Sequence, residues 1–258
     1  MNMNSMLKYQ LNDYKKPILY YYMIFIAIFI LSTGSANITI NGSESSIQFA
    51  GIEFASMIFL FVTGLNSFKD NFFLGIQNGV TRIEMFKTHL LKTAIIAAIM
   101  SVADQIILVI GGQIANAISA LEFSGLMQIG YPEYFLNNGL LSLTLTNLVF
   151  KFSLYTAAIS IGYFITISFY RMSKKLKTIV SVGIPVTLFM LLPMLDELLY
   201  SAGIVNIPIS SRIGNSLLTA MGITAGIPLI GCIFFLAVTA IMCTLSWLLL
   251  RRATIKNR

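Results

Sequence analysis

Charge is what this sequence has least of. Only 10% of its residues are Asp, Glu, Lys or Arg, against 57% hydrophobic, and the mean hydropathy is +0.82. A water-soluble domain of 258 residues needs more charge than that on its surface, so much of this surface faces lipid. Cysteine is nearly absent. Cys232 and Cys243 lie in one apolar run, about 16 Å apart along a helix, too far to bridge, and read as apolar fillers. His89 is the single histidine, so no Ser-His or Cys-His pair can form within the membrane, and H-E-x-x-H is missing. There is no G-x-x-x-x-G-K-[ST] loop to cradle ATP phosphates. Asp196-Glu197 has no third ligand nearby and makes a poor metal site. Catalysis, a resident cofactor and a resident metal are therefore not expected of this chain.

What is present is a series of long apolar runs. They are 17–41, 47–68 (interrupted by Glu53), 93–121 (Asp104), 134–170 (Lys151), 178–195 and 213–250. Lys8, Lys15 and Lys16 before the first run, with Ser35 and Ala36 after it, have the outline of a signal peptide; we read the run as the first membrane helix. The net charge of +7 could suggest nucleic acid, but its placement points to membrane orientation. Fifteen of the 17 Lys and Arg fall in the N-terminal stretch, 69–92, 171–177 and 251–258, and two runs separate each consecutive pair of clusters. The clusters thus share one side, the cytoplasmic one, while Glu44, Glu122, Glu133, Asp196 and Glu197 lie opposite. The expectation is an all-α, multi-pass protein of the cell membrane, one transmembrane domain over 1–258, with six spans and both termini cytoplasmic.

Two runs have awkward lengths, since a span needs about 20 residues. Counting outward from Tyr170 places Lys151 about 30 Å away, at the outer surface, with 134–150 along the outer leaflet. The same count starts the sixth span at Pro228. The region 198–227, with Gly214, Gly222 and Gly226, then forms re-entrant helices on the outer side or extends a long tilted helix; Gly and Pro favour the former.

Residues 1–16 carry Met3, Leu7, Leu11 and Tyr14 at helical spacing, an amphipathic interfacial helix that ends where Pro17 starts the first span. The segment 69–92 is more specific. Asn78-Gly79 is a turn signal, and Thr81 with Glu84 is a capping box that starts a helix near Arg82. Phe72, Phe73 and Ile76 give the preceding helix an apolar face. Such a helix–turn–helix projection suits docking into a groove of a soluble partner, with a solvated connector as the alternative.

The stretch Leu74-Gly-Ile-Gln-Asn-Gly-Val-Thr-Arg82 resembles a segment of Firmicute permease subunits of the ABC-2 exporter class. The six spans, the amphipathic start and the outer re-entrant helices are similar too. The resemblance implies a two-fold pair of membrane subunits, either two copies of this chain or this chain with a related permease. It also implies separate cytoplasmic ATPase subunits that hold ATP and Mg. By it, 71–88 is the coupling helix, with Asn71, Phe72, Phe73, Gly75, Ile76, Asn78, Gly79, Thr81, Arg82 and Phe86 at the docking face, and 171–177 lies near the ATPase. In size, and in having no large outer domain, the chain looks like the phenol-soluble modulin exporter permeases, which move amphipathic peptides outward.

Asp104, about 18 Å from Lys92, is an intramembrane carboxylate that either lines a polar path, carries a proton, pairs within the bundle or faces outer water. Glu53 is expected to be wetted at the outer end of the second span. Phe25, Phe29 and Phe59 either face lipid or line a lipophilic substrate path. Ala158-x-x-x-Gly162 and Gly222-x-x-x-Gly226 allow close helix approach. Exporter permease is the first reading. A proton- or ion-coupled secondary transporter using Asp104, and an immunity protein that binds peptides without moving them, are the alternatives.

Overall fold

A computed structural model describes residues 3–36, 47–117, 121–201 and 208–252. Glu44, Lys256, Arg258 and residues 202–207 of the 198–227 region lie outside the described residues. The chain is all-α apart from one pair of short strands. Its order is α1 (Met3–Ala36), β1 (Ile47–Ala50), α2 (Ile52–Asn66), α3 (Lys69–Gln77), α4 (Arg82–Ala117), β2 (Leu121–Ser124), α5 (Leu126–Gly130), α6 (Pro132–Asn137), α7 (Leu140–Arg171), α8 (Lys174–Val186), a π-helical turn (Thr187–Leu191), α9 (Leu192–Ser201), α10 (Ile209–Ala220) and α11 (Pro228–Arg251). Five helical stretches are long and apolar enough to cross a membrane: Met3–Leu31, Ile52–Gln77, Arg82–Ile114, Leu140–Arg171 and Pro228–Arg251.

The remaining apolar run is cut into α8, the π turn and α9. Pro193 is the cause: a proline ring collides with the carbonyl four residues back and offers no N–H. One wider turn ahead of it, in which Leu192 N–H reaches Thr187 O, relieves that conflict. Pro17 acts differently from expectation. α1 passes through it unbroken, so 1–16 is not a separate helix. The face of this stretch that packs on the protein is centred on Met6 and Gln10, both buried, with Leu11 and Tyr14 only partly covered.

The bundle is organised around α7, which packs on α2, α4 and α11. Small residues make this possible. Gly64 of α2 and Gly162 of α7 meet backbone to backbone, and a Cβ on Gly162 would sit 2.9 Å from the amide nitrogen of Leu65. The expected close approach at Gly162 is thus made, with Ala158 also buried. Gly222 and Gly226 do something else: both have positive φ (73° and 66°) and shape the turn between α10 and α11. That turn also rules out one long helix over 213–250.

Residues 140–171 form one helix, so α7 continues past Lys151 instead of stopping there. Lys151 does not snorkel; it is fully buried. After α4 the chain reverses. β2 runs parallel to β1, with Ile47 opposite Leu121 and Ala50 opposite Ser124, and carries the chain back into the bundle. Met127 and Tyr131 are consequently buried, and the Tyr131 hydroxyl donates to Met221 O at 2.6 Å, tying this dip to the α10–α11 turn.

Candidate functional site

Two sites stand out: the elbow at 69–92 and a set of charges buried between α1, α2, α4 and α7.

The elbow forms as its sequence dictates. Gly79, at φ 67°, ends α3 with paired bonds from Val80 N to Gly75 O and from Gly79 N to Ile76 O. Asn78 Nδ2 donates to Leu74 O at 2.8 Å. α4 then opens with the capping box: Thr81 N donates to Glu84 Oε2 (3.0 Å) and Glu84 N to Thr81 Oγ1 (3.3 Å). One face of the elbow is fastened to the protein. Phe68, Phe72, Val80 and Met85 share an apolar cluster with Met6, Tyr163, Ile167 and Leu250. Phe72 and Gly75, both expected at the docking face, are turned inward; Gly75 packs against Met85. Phe73 is half-buried beside Phe72 and Tyr170, Ile76 and Phe86 are half-buried, and Phe86 lies against Trp247. Asn71 donates to Ser67 O at 2.7 Å, and Arg82 Nη1 donates to Arg251 O at the end of α11. The open tip consists of Gln77, Asn78, Gly79 and Thr81.

Behind the elbow sits a buried lysine. Lys92, 1% exposed, donates to Ser67 Oγ and lies 4.8 Å above the Tyr14 ring. His89, also buried, stacks on Tyr163 with ring centroids 3.5 Å apart. Lys92 thereby joins α4 to Ser67 at the end of α2 and to Tyr14 of α1, and the His89 ring joins α4 to Tyr163 of α7.

The second site is the set of charges buried among the long apolar helices. Glu53 is not wetted but buried at 1% exposure. Its Oε1 lies 3.4 Å from Lys151 Nζ, and its Oε2 accepts from Leu126 N at 3.0 Å. Lys151 also donates to Gln105 Oε1 at 2.9 Å. One position before Gln105, Asp104 is wholly buried; its Oδ1 accepts from the Tyr22 hydroxyl at 2.8 Å and its Oδ2 from Tyr155. Tyr21 and Ser56 share a hydrogen bond of 2.8 Å nearby. Of the readings open for Asp104, pairing within the bundle describes its geometry, and facing outer water does not. The arrangement places two carboxylates and one ammonium, all desolvated, at the junction of four helices. It can hold those helices in register and can take up or release a proton or cation.

Sequence reasoning singled out Asp104 and missed the rest. The available signal was that Glu53 and Lys151 are lone charges of opposite sign in two apolar runs. Of the proposed path residues, Phe59 stacks on Tyr21 (4.7 Å), and Phe29 meets Phe123 edge-on (5.6 Å) about 12 Å further along α1. Phe25 is half-buried on the same face as Phe29. Asp196 serves α10: its oxygens accept from Ile209 N (2.8 Å) and Ser210 N (2.7 Å), and no cluster of three metal-ligating side chains occurs among the described residues. No protein-family model, no curated protein and no solved structure matches this chain.

Proposed function

We propose that this chain is the non-catalytic membrane subunit of an ATP-driven exporter of the ABC-2 type, moving an amphipathic or hydrophobic substrate, a peptide in the first instance. One observation carries the reading: a short helix, a Gly79 turn and a capped second helix form a rigid elbow with an open tip, bolted at its base to α1, α7 and α11. A push on that tip reaches three spans at once. In this reading α8, the π turn and α9 together make the fifth span, α11 is the sixth, and both termini are cytoplasmic. α10 and its turn are the outer re-entrant element before α11. A second copy or a related permease completes the unit, and the ATPase partner binds ATP and Mg.

The test is purification of the tagged chain from its native host in mild detergent, with mass spectrometry of what accompanies it. A soluble ATPase is expected in stoichiometric amount, lost on Gln77→Arg at the exposed tip and on Phe73→Asp at its flank. Gly79→Pro should leave the bundle folded and uncouple substrate-stimulated ATP hydrolysis. A chain that purifies alone as a functional unit overturns the reading.

The buried carboxylates favour a second reading, proton or cation coupling without an ATPase. Asp104→Asn separates the two: it abolishes transport in the second and spares the ATP-driven step in the first.

A further inference from the structure

α4 starts at the elbow and, with 36 residues, carries the chain roughly 50 Å away from it. There the chain turns back through β2 into residues 125–137, which hold α5 and α6. Two side chains of this stretch go fully into the core: Met127, with no exposed surface, and Tyr131, 1% exposed. They join the cluster of Leu60, Met100, Leu154 and Tyr155, and Tyr131 meets Phe150 edge-on at 5.8 Å. Three side-chain bonds fasten the stretch, each to a different element. Leu126 N donates to Glu53 Oε2 of α2 at 3.0 Å, and the Tyr131 hydroxyl donates to Met221 O of the α10–α11 turn at 2.6 Å. The Tyr134 hydroxyl pairs with Thr146 Oγ1 of α7 at 3.1 Å. α5 and α6 have five and six residues, too few to stand as helices without these anchors. Gly130 between them and Gly139 after them have nothing within 4 Å of a Cβ, so close packing does not call for glycine at either place. What glycine supplies there is backbone freedom on both sides of α6. The buried charges lie under this cover. Tyr131 rests on Phe150, the chain neighbour of Lys151, and the oxygen that holds Leu126 N belongs to Glu53, the partner of Lys151.

We propose that residues 125–137 form a gate at the end of the bundle opposite the elbow, opening to admit water to Glu53 and Lys151, with Glu53 as its latch. Shut, Glu53 is shared between Leu126 N and the Lys151 ammonium. Release of Leu126 N lets α5 and α6 swing about Gly130 and Gly139 and lifts Met127 and Tyr131 out of the core. Giving up three side-chain bonds and two buried side chains costs far less than parting α7 from α2 and α11, so the gate opens while the bundle stays folded. Glu53 works twice: it belongs to the charges under the gate, and it holds the gate shut. The gate stands whether or not the chain works with an ATPase. With one, it closes the far end of the path that the elbow drives; without one, it times the meeting of the buried charges with water.

Two native lysines report on the gate: Lys151 beneath it, with no exposed surface, and Lys92 behind the elbow, 1% exposed. The full chain in phosphatidylcholine nanodiscs, open to solvent on both sides, is treated with sulfosuccinimidyl acetate, which does not enter the bilayer. Acetylation of each lysine is timed by mass spectrometry. Tyr131→Phe and Tyr134→Phe each remove a fastening bond and keep the ring. Each should speed acetylation of Lys151 about two- to tenfold and leave the Lys92 rate unchanged. The latch is tested from the acceptor side. Glu53→Leu with Lys151→Met strands no charge, and it should raise the reaction of Met127→Cys with a charged methanethiosulfonate by about two- to tenfold, in a chain whose Cys232 and Cys243 are alanine. Ile159→Cys, at a site 1% exposed on α7, is the reference for general loosening, and thermal melting checks that each variant folds. Equal acceleration at Lys151 and Lys92, an unchanged Lys151 rate in both tyrosine variants, or Met127→Cys as slow as Ile159→Cys overturns the gate. A Met127→Cys rate that ignores the loss of the pair overturns Glu53 as its latch.

Discussion

Replacing Lys151 by Met is the sharpest test of the buried charges. The side chain is fully buried, and its ammonium is shared between Glu53 at 3.4 Å and Gln105 at 2.9 Å. Methionine has a similar length and keeps the packing. What it removes is the counter-charge, leaving Glu53, itself 1% exposed, desolvated and unpaired. Breaking a buried pair from one side costs about 3–5 kcal/mol, which shifts the folding equilibrium by about two to nearly four decades. Glu53→Gln in the same chain retains the acceptor for Leu126 N and removes the stranded charge, so the double variant should recover most of the loss. The assay is equilibrium unfolding in mixed detergent micelles, followed through Trp247 emission. Two results would refute the reasoning: a Lys151→Met chain within about 1 kcal/mol of wild type, or a double variant as unstable as the sum of the two single ones.

Three further outcomes follow from the packing. Gly162→Ala drives a methyl into the α2 backbone and should cost about 1–3 kcal/mol, lowering the melting temperature, while Gly112→Ala, in open space, should leave it unchanged. Tyr155→Phe removes a donor from Asp104 and should cost about 1.5–3 kcal/mol in the same unfolding assay; an unchanged midpoint would mean the carboxylate is satisfied otherwise. Asp196→Ala strips the α10 N-terminus of its acceptor, a loss of about 0.5–2 kcal/mol, so amide exchange over 209–212 should quicken by roughly two- to thirtyfold without change in α7.

Local chemistry was legible. The Asn78-Gly79 turn and the Thr81–Glu84 box are read from four consecutive or near-consecutive residues, and they form where expected because their partners lie within one turn. Spans were legible as apolar runs for the same reason. Pairings between runs were not. Counting residues from Tyr170 put Lys151 at a surface because it assumed a span of ordinary length; α7 is 32 residues, and the position of Lys151 is set by Glu53 on another helix. Phe72 shows the same limit. A helical face can be recognised as apolar, but the sequence does not say whether Tyr163, Leu250 and Met6 or another protein will cover it. Pro17 misled because a proline is a boundary in water, whereas a membrane helix tolerates it where neighbours compensate.

The pairing of Glu53 with Lys151 also has a cost in time. The two residues are 98 positions apart (151 − 53). At about 5–20 residues per second, the ribosome completes Lys151 roughly 5–20 s after Glu53. During that interval α2 carries a carboxylate whose counter-ion has not been made. Until α7 arrives, water or a proton is the partner left to Glu53. The carboxylate of α2 gains its counter-charge only once α7 packs beside it.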